Sequence, residues 1–341
     1  MVRVRIPSIR KQIVKFRRLW SVYNKNNRSL RINNLDPLET LILINRESAF
    51  AGLTPIGLTV QFTLDIGCNA NCIMCDKRIM KKQSNQTYDR LSRLVDFLDN
   101  ETVSRVKLLG GEPLLDRRGL LDLLKRCSAK GIRMHLITNG FLLSKRYADL
   151  LIKNGLDRIT LSLDSGDSRE HDALRGLPGS FDRIISVIKY MKHKYPKFGI
   201  SVNSVAMRSN IGSLKRIIAL INELGVNTLN VIFPEDFGRN FQRIALTRSD
   251  RVKVDRIRYS AEVRRSRAGI VWDVCNPKYD LGCRFRFSQM SIHEDGEVTL
   301  CGKYPLKRSV AINKPIAALL QEKDLRRFFQ DDTLHCHKIR H

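Results

Sequence analysis

Acidic residues are scarce in this chain: 34 Asp and Glu stand against 61 Lys and Arg in 341 residues, a formal net charge of +27. That deficit bears on partners and not on fold, and it makes polyanions the candidates: nucleic acid, an anionic membrane surface or a phosphorylated substrate. Aromatic residues are also few, at 7%. The basic stretches lack the interleaved rings of a stacking platform, so nucleic acid is permitted but not favoured. No run approaches the roughly 20 apolar residues of a membrane span, and no apolar h-region follows the basic N-terminus as in a signal peptide. No internal repeat or low-complexity tract is visible. Eight cysteines without a secretory context read as metal ligands in a reducing compartment rather than as disulfides, so a cytoplasmic protein is expected. What is present in quantity is apolar: 43% hydrophobic residues suffice for a packed core. The length suits one large α/β domain, alone or with a smaller appendage.

Residues 1–53 read as a basic amphipathic extension. Between Met1 and Leu35 there are ten Lys or Arg and no acid. Ile6, Ile9, Ile13, Phe16 and Trp20 recur at three- and four-residue steps and share one helix face. Such a helix either packs on the main domain or docks residues 1–35 on an anionic membrane surface, which would place the protein peripherally at the inner membrane face.

From 54 to 237 the pattern alternates. IGLTVQFTLDI, RVKLLGG, RMHLITNG, RITLSLDS, FGISVNSVAM and TLNVIFP read as strands, with helical stretches such as GLLDLLKRCSAKG and FDRIISVIKYMKHK between them. Six strands alternating with five helices imply α/β architecture, a parallel sheet with right-handed crossovers. Six units argue for a partial (β/α)6 TIM-like barrel, and in such folds sites form at the C-terminal rim. Residues 238–274 read as a basic helical linker. Residues 275–341 hold Cys275, Cys283, Cys301 and Cys336 in a shorter, less regular stretch with a hairpin turning at Asp295-Gly296.

Directly after the first strand, Cys68, Cys72 and Cys75 fall within eight residues. Thiolates are soft ligands that select zinc, copper(I) or iron–sulfur clusters. A structural zinc needs a fourth ligand close by. A 4Fe–4S cluster offers four irons, each wanting an outer ligand, so three cysteines would leave one iron open for reaction. Cys127, alone on an apolar helical face, reads as a core residue.

CxxxCxxC after the first strand of a β/α domain resembles the radical S-adenosylmethionine (radical SAM) superfamily. Independent segments carry the same resemblance in the same order over residues 58–235. LLGGEPLL contributes Gly110, Gly111, Glu112 and Pro113; ITNG contributes Thr138 and Asn139; LSLDS contributes Ser162 and Asp164; HDALRG contributes Arg175; and GSFDRIISVIK follows. The resemblance implies that the three cysteines hold a catalytic 4Fe–4S cluster. It implies that the GGEP segment meets the amino group of S-adenosylmethionine, with Glu112 beside the ammonium, and that Arg175 lies near its carboxylate. A reduced cluster would cleave the cofactor to methionine and a 5′-deoxyadenosyl radical, which abstracts hydrogen from an unactivated C–H bond. A low-potential donor, flavodoxin- or ferredoxin-like, would supply the electron. Met74 departs from the pattern, because relatives carry an aromatic residue beside the last cysteine.

Cys283-x12-Gly296-x4-Cys301 resembles the opening of the auxiliary-cluster domains called SPASM and twitch. With Cys275 and Cys336 it would hold a second, auxiliary 4Fe–4S cluster, His335 or His337 being substitutes for the fourth ligand; a zinc site on the same cysteines and free core thiols are the competing readings. The expected activity is that of a C–H-activating oxidoreductase acting on a small molecule, such as a sugar-, nucleotide- or lipid-like compound. Relatives that build the molybdenum cofactor precursor carry a close C-terminal cysteine pair and end in di-glycine, which this chain does not. Two alternatives stand beside it: a radical SAM peptide maturase, and a non-catalytic iron–sulfur or zinc protein that binds membrane or RNA through its basic segments.

Overall fold

A computed structural model describes residues 45, 57–64, 67–75, 86–234, 241–272, 289–293, 296–299, 310–311 and 314–321. In chain order the elements are β1 (Leu58–Leu64), α1 (Gln86–Leu94), β2 (Val103–Gly110), α2 (Arg117–Ala129), β3 (Arg133–Thr138), α3 (Lys145–Lys153) and β4 (Leu156–Ser162). They continue with α4 (Ser168–Arg175), α5 (Ser180–Lys194), β5 (Gly199–Val205), α6 (Leu214–Glu223), β6 (Thr228–Ile232), α7 (Phe241–Ile244), α8 (Arg248–Arg258) and α9 (Ala261–Arg264). The last are β7 (Gly269–Trp272), β8 (Gln289–His293), β9 (Glu297–Thr299), β10 (Val310–Ala311) and α10 (Ile316–Leu319).

The strands form one sheet in the order β10-β9-β8-β1-β2-β3-β4-β5-β6-β7. Every pairing from β8 through β1 to β7 is parallel, so eight strands run the same way. The expected α/β partial-barrel class holds, but the sheet exceeds the six expected strands. β7 extends it from within the stretch expected to be a helical linker, where α7, α8 and α9 precede it. β8 adds to the free edge of β1 and turns through Gly296 into antiparallel β9, the hairpin expected at Asp295-Gly296.

Alternation along each strand decides which face the helices cover. On β1, Leu58, Val60, Phe62 and Leu64 are buried against helices, while Thr59, Gln61 and Thr63 face the other way. Phe62, Leu108, Leu136, Leu161 and Val202 are fully buried and join Leu91, Leu120, Leu151 and Ile188 from the helices in one core. Each such side chain contributes about 1.5–3 kcal/mol of burial. Cys127 lies in that core as expected, fully buried, with burial pushing its thiol up to about 12. On the opposite, inner face polar and charged side chains such as Gln61, Lys107 and His135 alternate with the buried apolar ones.

The N-terminal extension, including residues 1–35, lies outside the described residues apart from Asn45, and so do Cys275, Cys283, Cys301 and Cys336. Among the described residues no helix is long and apolar enough to cross a membrane.

Candidate radical SAM site

The loop after β1 carries the three cysteines, and the chain places Cys72 inside, Cys75 half-buried and Cys68 exposed. Its shape is held from outside. The Asn71 and Ile73 N–H groups donate to the carbonyls of Arg175 (3.0 Å) and Leu174 (3.0 Å), and Cys75 N–H donates to Cys72 O at 3.2 Å. The end of α4 is thus laced to the cysteine loop. Gly176 closes α4 in the left-handed region at φ 54°, where a Cβ would stand 2.7 Å from Asn71 O. Only glycine allows that approach.

Two side-chain donors reach the sulfurs of Cys72 and Cys68. Arg175 Nη1 lies 3.7 Å from Cys72 Sγ, and Asn139 Nδ2 lies 3.8 Å from Cys68 Sγ while donating to Asn69 Oδ1 at 2.8 Å. Burial raises the Cys72 thiol, and Arg175 opposes that; burial likewise raises Cys68, opposed by the Ala70 N–H. A ligand thiol must be deprotonated, so these neighbours matter for assembly. Among the described residues no three His, Cys, Asp or Glu converge as one metal ion requires. Thiolates of a cluster each address a different iron, so a spread set of three with N–H donors on the sulfurs fits a 4Fe–4S cluster better than zinc.

Around this loop the rim gathers the remaining motif residues from the ends of β2, β3 and β4. Gly110 ends β2 at φ 141°, and a Cβ there would fall 2.1 Å from Leu64 O. The backbone of β2 therefore meets the end of β1 directly, and Gly111 N–H and Glu112 N–H donate to Leu64 O (3.3 Å) and Gly67 O (3.0 Å). Glu112 is buried. Its Oε1 accepts from Leu114 N–H (2.9 Å) and the Thr138 hydroxyl (2.6 Å), and its Oε2 accepts from Asn139 N–H (2.9 Å). Burial pushes its carboxyl up, and the three hydrogen bonds pull against that. Glu112 and Thr138 therefore spend most of their capacity joining β2 to β3; the carboxylate keeps about one acceptor position for a cationic ligand group. Pro113 is buried at the start of a short 3-10 turn, and its carbonyl accepts from the Tyr88 hydroxyl at 2.8 Å.

Ser162 closes β4 beside Asn203 of β5. Asp164 is fully buried and its roles are internal. Its Oδ2 pairs with Arg175 Nε at 2.6 Å, its Oδ1 accepts from Val205 N–H at 2.7 Å, and its N–H donates to His171 Nδ1 at 3.1 Å. That last bond requires a neutral ring, and burial first, then Arg175, holds His171 down at about 4 despite Asp164 nearby. Arg175 is thus oriented by Asp164, with its Nη1 toward Cys72. His171 and Asn210, which donates to Asp164 O at 2.7 Å, were not singled out in the sequence. Met74 packs beside Leu174, Met207 and Ile244 in a small separate apolar cluster.

The family model described as the radical SAM superfamily matches residues 66–221. A heme synthase dependent on S-adenosylmethionine from Methanosarcina barkeri is 24% identical over 70% of this chain and 66% of its own length, so the chain spans a little under two thirds of that relative. A probable GTP 3′,8-cyclase from Metallosphaera sedula is 30% identical over 71% of this chain and 80% of its own length. Among solved structures, Streptococcus suis SuiB bound to S-adenosylmethionine shares 18% identity and a TM-score of 0.66, covering 92% of this chain and 78% of that one. The enzyme anSMEcpe with bound S-adenosylmethionine shares 18% identity and a TM-score of 0.60, covering 80% of this chain and 79% of its own. The family uses a 4Fe–4S cluster and S-adenosylmethionine, and needs an electron donor. With its cysteine loop, glycine turn and family match in agreement, this chain belongs to the radical SAM superfamily.

Proposed function

We propose that this chain is a C–H-activating oxidoreductase acting on a small molecule of sugar-, nucleotide- or lipid-like character. The observation that carries this is the convergence of Gly110–Pro113, Thr138–Asn139, Asp164 and Arg175 on the Cys68–Cys75 loop at one rim. Cys68, Cys72 and Cys75 would hold a 4Fe–4S cluster, which with bound S-adenosylmethionine would supply one-electron cleavage of the cofactor's C–S bond. The protein's part is positional. Arg175, fixed by Asp164, pairs the cofactor carboxylate, and the remaining Glu112 acceptor site with the Gly110–Gly111 backbone takes the ammonium. Asn139 and Arg175 donate toward sulfur, which moves the site's potential.

The small-molecule reading draws on relatives whose names refer to heme synthesis and to GTP cyclisation. SuiB has also been solved with a precursor peptide, but at 17% identity that likeness speaks to fold alone. Cys275, Cys283, Cys301 and Cys336 are proposed to hold the auxiliary 4Fe–4S cluster, with a flavodoxin- or ferredoxin-like donor in the cytoplasm. The test is anaerobic reconstitution followed by electron paramagnetic resonance of the reduced protein. The signal should change on adding S-adenosylmethionine to the wild type, and Cys72→Ala should lose that response. A Cys283→Ala variant should keep it while losing about four irons per chain, the content of one cluster. A response that survives Cys72→Ala rejects the site assignment.

A further inference from the structure

Lower on the same strands, the inner face of the sheet is cationic. On β2, Arg105 and Lys107 alternate with the buried Val106 and Leu108 and share the face away from the helices. Register then carries the charge sideways: Arg105 lies opposite Arg133 on β3, Lys107 opposite His135, and His135 opposite Arg158 on β4. Arg158 in turn lies over Gly199 of β5, where a Cβ would meet its Nε at 3.2 Å. Absence of a side chain at Gly199 makes the room that the arginine uses.

Among the described residues one acid answers these four cations. Asp157 pairs with Arg105 at 3.2 Å. Among the described residues no acid pairs with Lys107, Arg133 or Arg158. Burial holds Lys107 below the usual lysine range. His135 reports the local field: burial first, then Lys107, Arg105 and Arg158, push it down to about 2, and its neutral ring meets Thr160 Oγ1 at 2.7 Å. Neutral polar groups complete the surface, with Gln61 opposite Lys107 and Ser291 opposite Gln61. Arg133 is exposed and Arg105 and Arg158 half-buried, whereas Lys107 is held away from water without an acid; a cation so placed is costly, and like charges beside it add to the cost. Such an arrangement is stabilised when an anion enters it, through charge-assisted hydrogen bonds to guanidinium and ammonium.

Lys107 stands three residues below Gly110, about 10 Å along a strand rising ~3.3 Å per residue. We propose that Lys107 and Arg158, backed by Arg105 and Arg133, form the subsite for an anionic group of the substrate, a phosphate or a carboxylate. They hold that group about 10 Å from the rim, so the substrate is a compound whose reacting C–H lies that far from its charged end. This deepens the small-molecule reading and rests on the cofactor lying at the rim.

The test is calorimetric titration of the full-length reconstituted chain with inorganic pyrophosphate and, separately, succinate, at 0.15 M salt (about 8 Å of screening length). Pyrophosphate or succinate should bind the wild type, and Lys107→Met and Arg158→Met should each weaken binding at least tenfold. Lys125→Met, on the exposed side of α2, should leave it unchanged. Preference for pyrophosphate assigns a phosphate group, and preference for succinate assigns a carboxylate. Equal weakening by Lys125→Met, or none by Lys107→Met, overturns the proposal, because the net charge of +27 then binds anions without a subsite. Melting temperature gives the second reading. Lys107→Met should melt no lower than wild type, whereas a lower melting temperature with intact binding makes Lys107 structural and rejects the idea. Binding of S-adenosylmethionine on the same preparation separates the two readings: its loss with pyrophosphate binding retained counts against the rim and not against the subsite.

Discussion

At the rim, Asp164 meets Arg175 at 2.6 Å and accepts from Val205 N–H at 2.7 Å; three residues below Gly110, Lys107 meets no acid among the described residues. Arg175 ends the helix that follows β4 and Lys107 stands on β2 of the same sheet, yet one is neutralised within the fold and the other is left to a ligand. The rim must hold a geometry whether or not a cofactor is bound, so its charges are paired. The inner face has only to attract, so pairing there would compete with what it binds. Removing a cation should therefore have opposite consequences in the two places.

The largest effect is expected from Arg175→Met, which strands Asp164 as a buried charge and should cost about 3–5 kcal/mol in urea unfolding. Lys107→Met, the same chemical change on the inner face, should cost nothing; equal losses at both positions break the comparison. Next in size is a pH effect on the rim. His171 binds fewer protons folded than unfolded, because its folded pKa of about 4 lies below the ordinary 6.5. Stability must then fall as pH drops from 6.5 to 4, by about 3 kcal/mol for ~2.5 units, and level off below. The stability gap between wild type and His171→Gln should narrow over that window; a constant gap across pH contradicts the neutral-ring assignment. Thr138→Val removes the hydroxyl bond to Glu112 and should cost about 2 kcal/mol at neutral pH. Gly176→Ala is the smallest, about 1–2 kcal/mol for a left-handed position, with a further loss of cluster retention if the Asn71 contact positions the cysteine loop.

Much of the rim was legible in the sequence because its residues sit at strand ends in a fixed order. Gly110, Gly111, Glu112, Asn139 and Arg175 follow Cys68–Cys75 in the order that places them side by side. What the order did not show is direction. Glu112 and Asp164 were read as facing a ligand, whereas most of their oxygens accept from Leu114, Thr138, Asn139 and Val205. Those partners lie 2 to 41 residues away and depend on the assembled sheet. β7 and β8 escaped for a related reason. GIVW follows a basic helical stretch, and QMSIH looks like half of a hairpin, while its pairing with β1 joins strands more than 200 residues apart. The cationic inner face was written in RVKLL, where Arg105 and Lys107 alternate with Val106 and Leu108. Its meaning needed the register to Arg133, His135 and Arg158.

The most direct measurement is product formation. The anaerobically reconstituted chain is reduced with dithionite in the presence of S-adenosylmethionine, and 5′-deoxyadenosine and methionine are quantified. The account predicts both in equal amounts from the wild type and neither from Cys72→Ala. A wild-type chain that retains its iron yet releases no 5′-deoxyadenosine would contradict it.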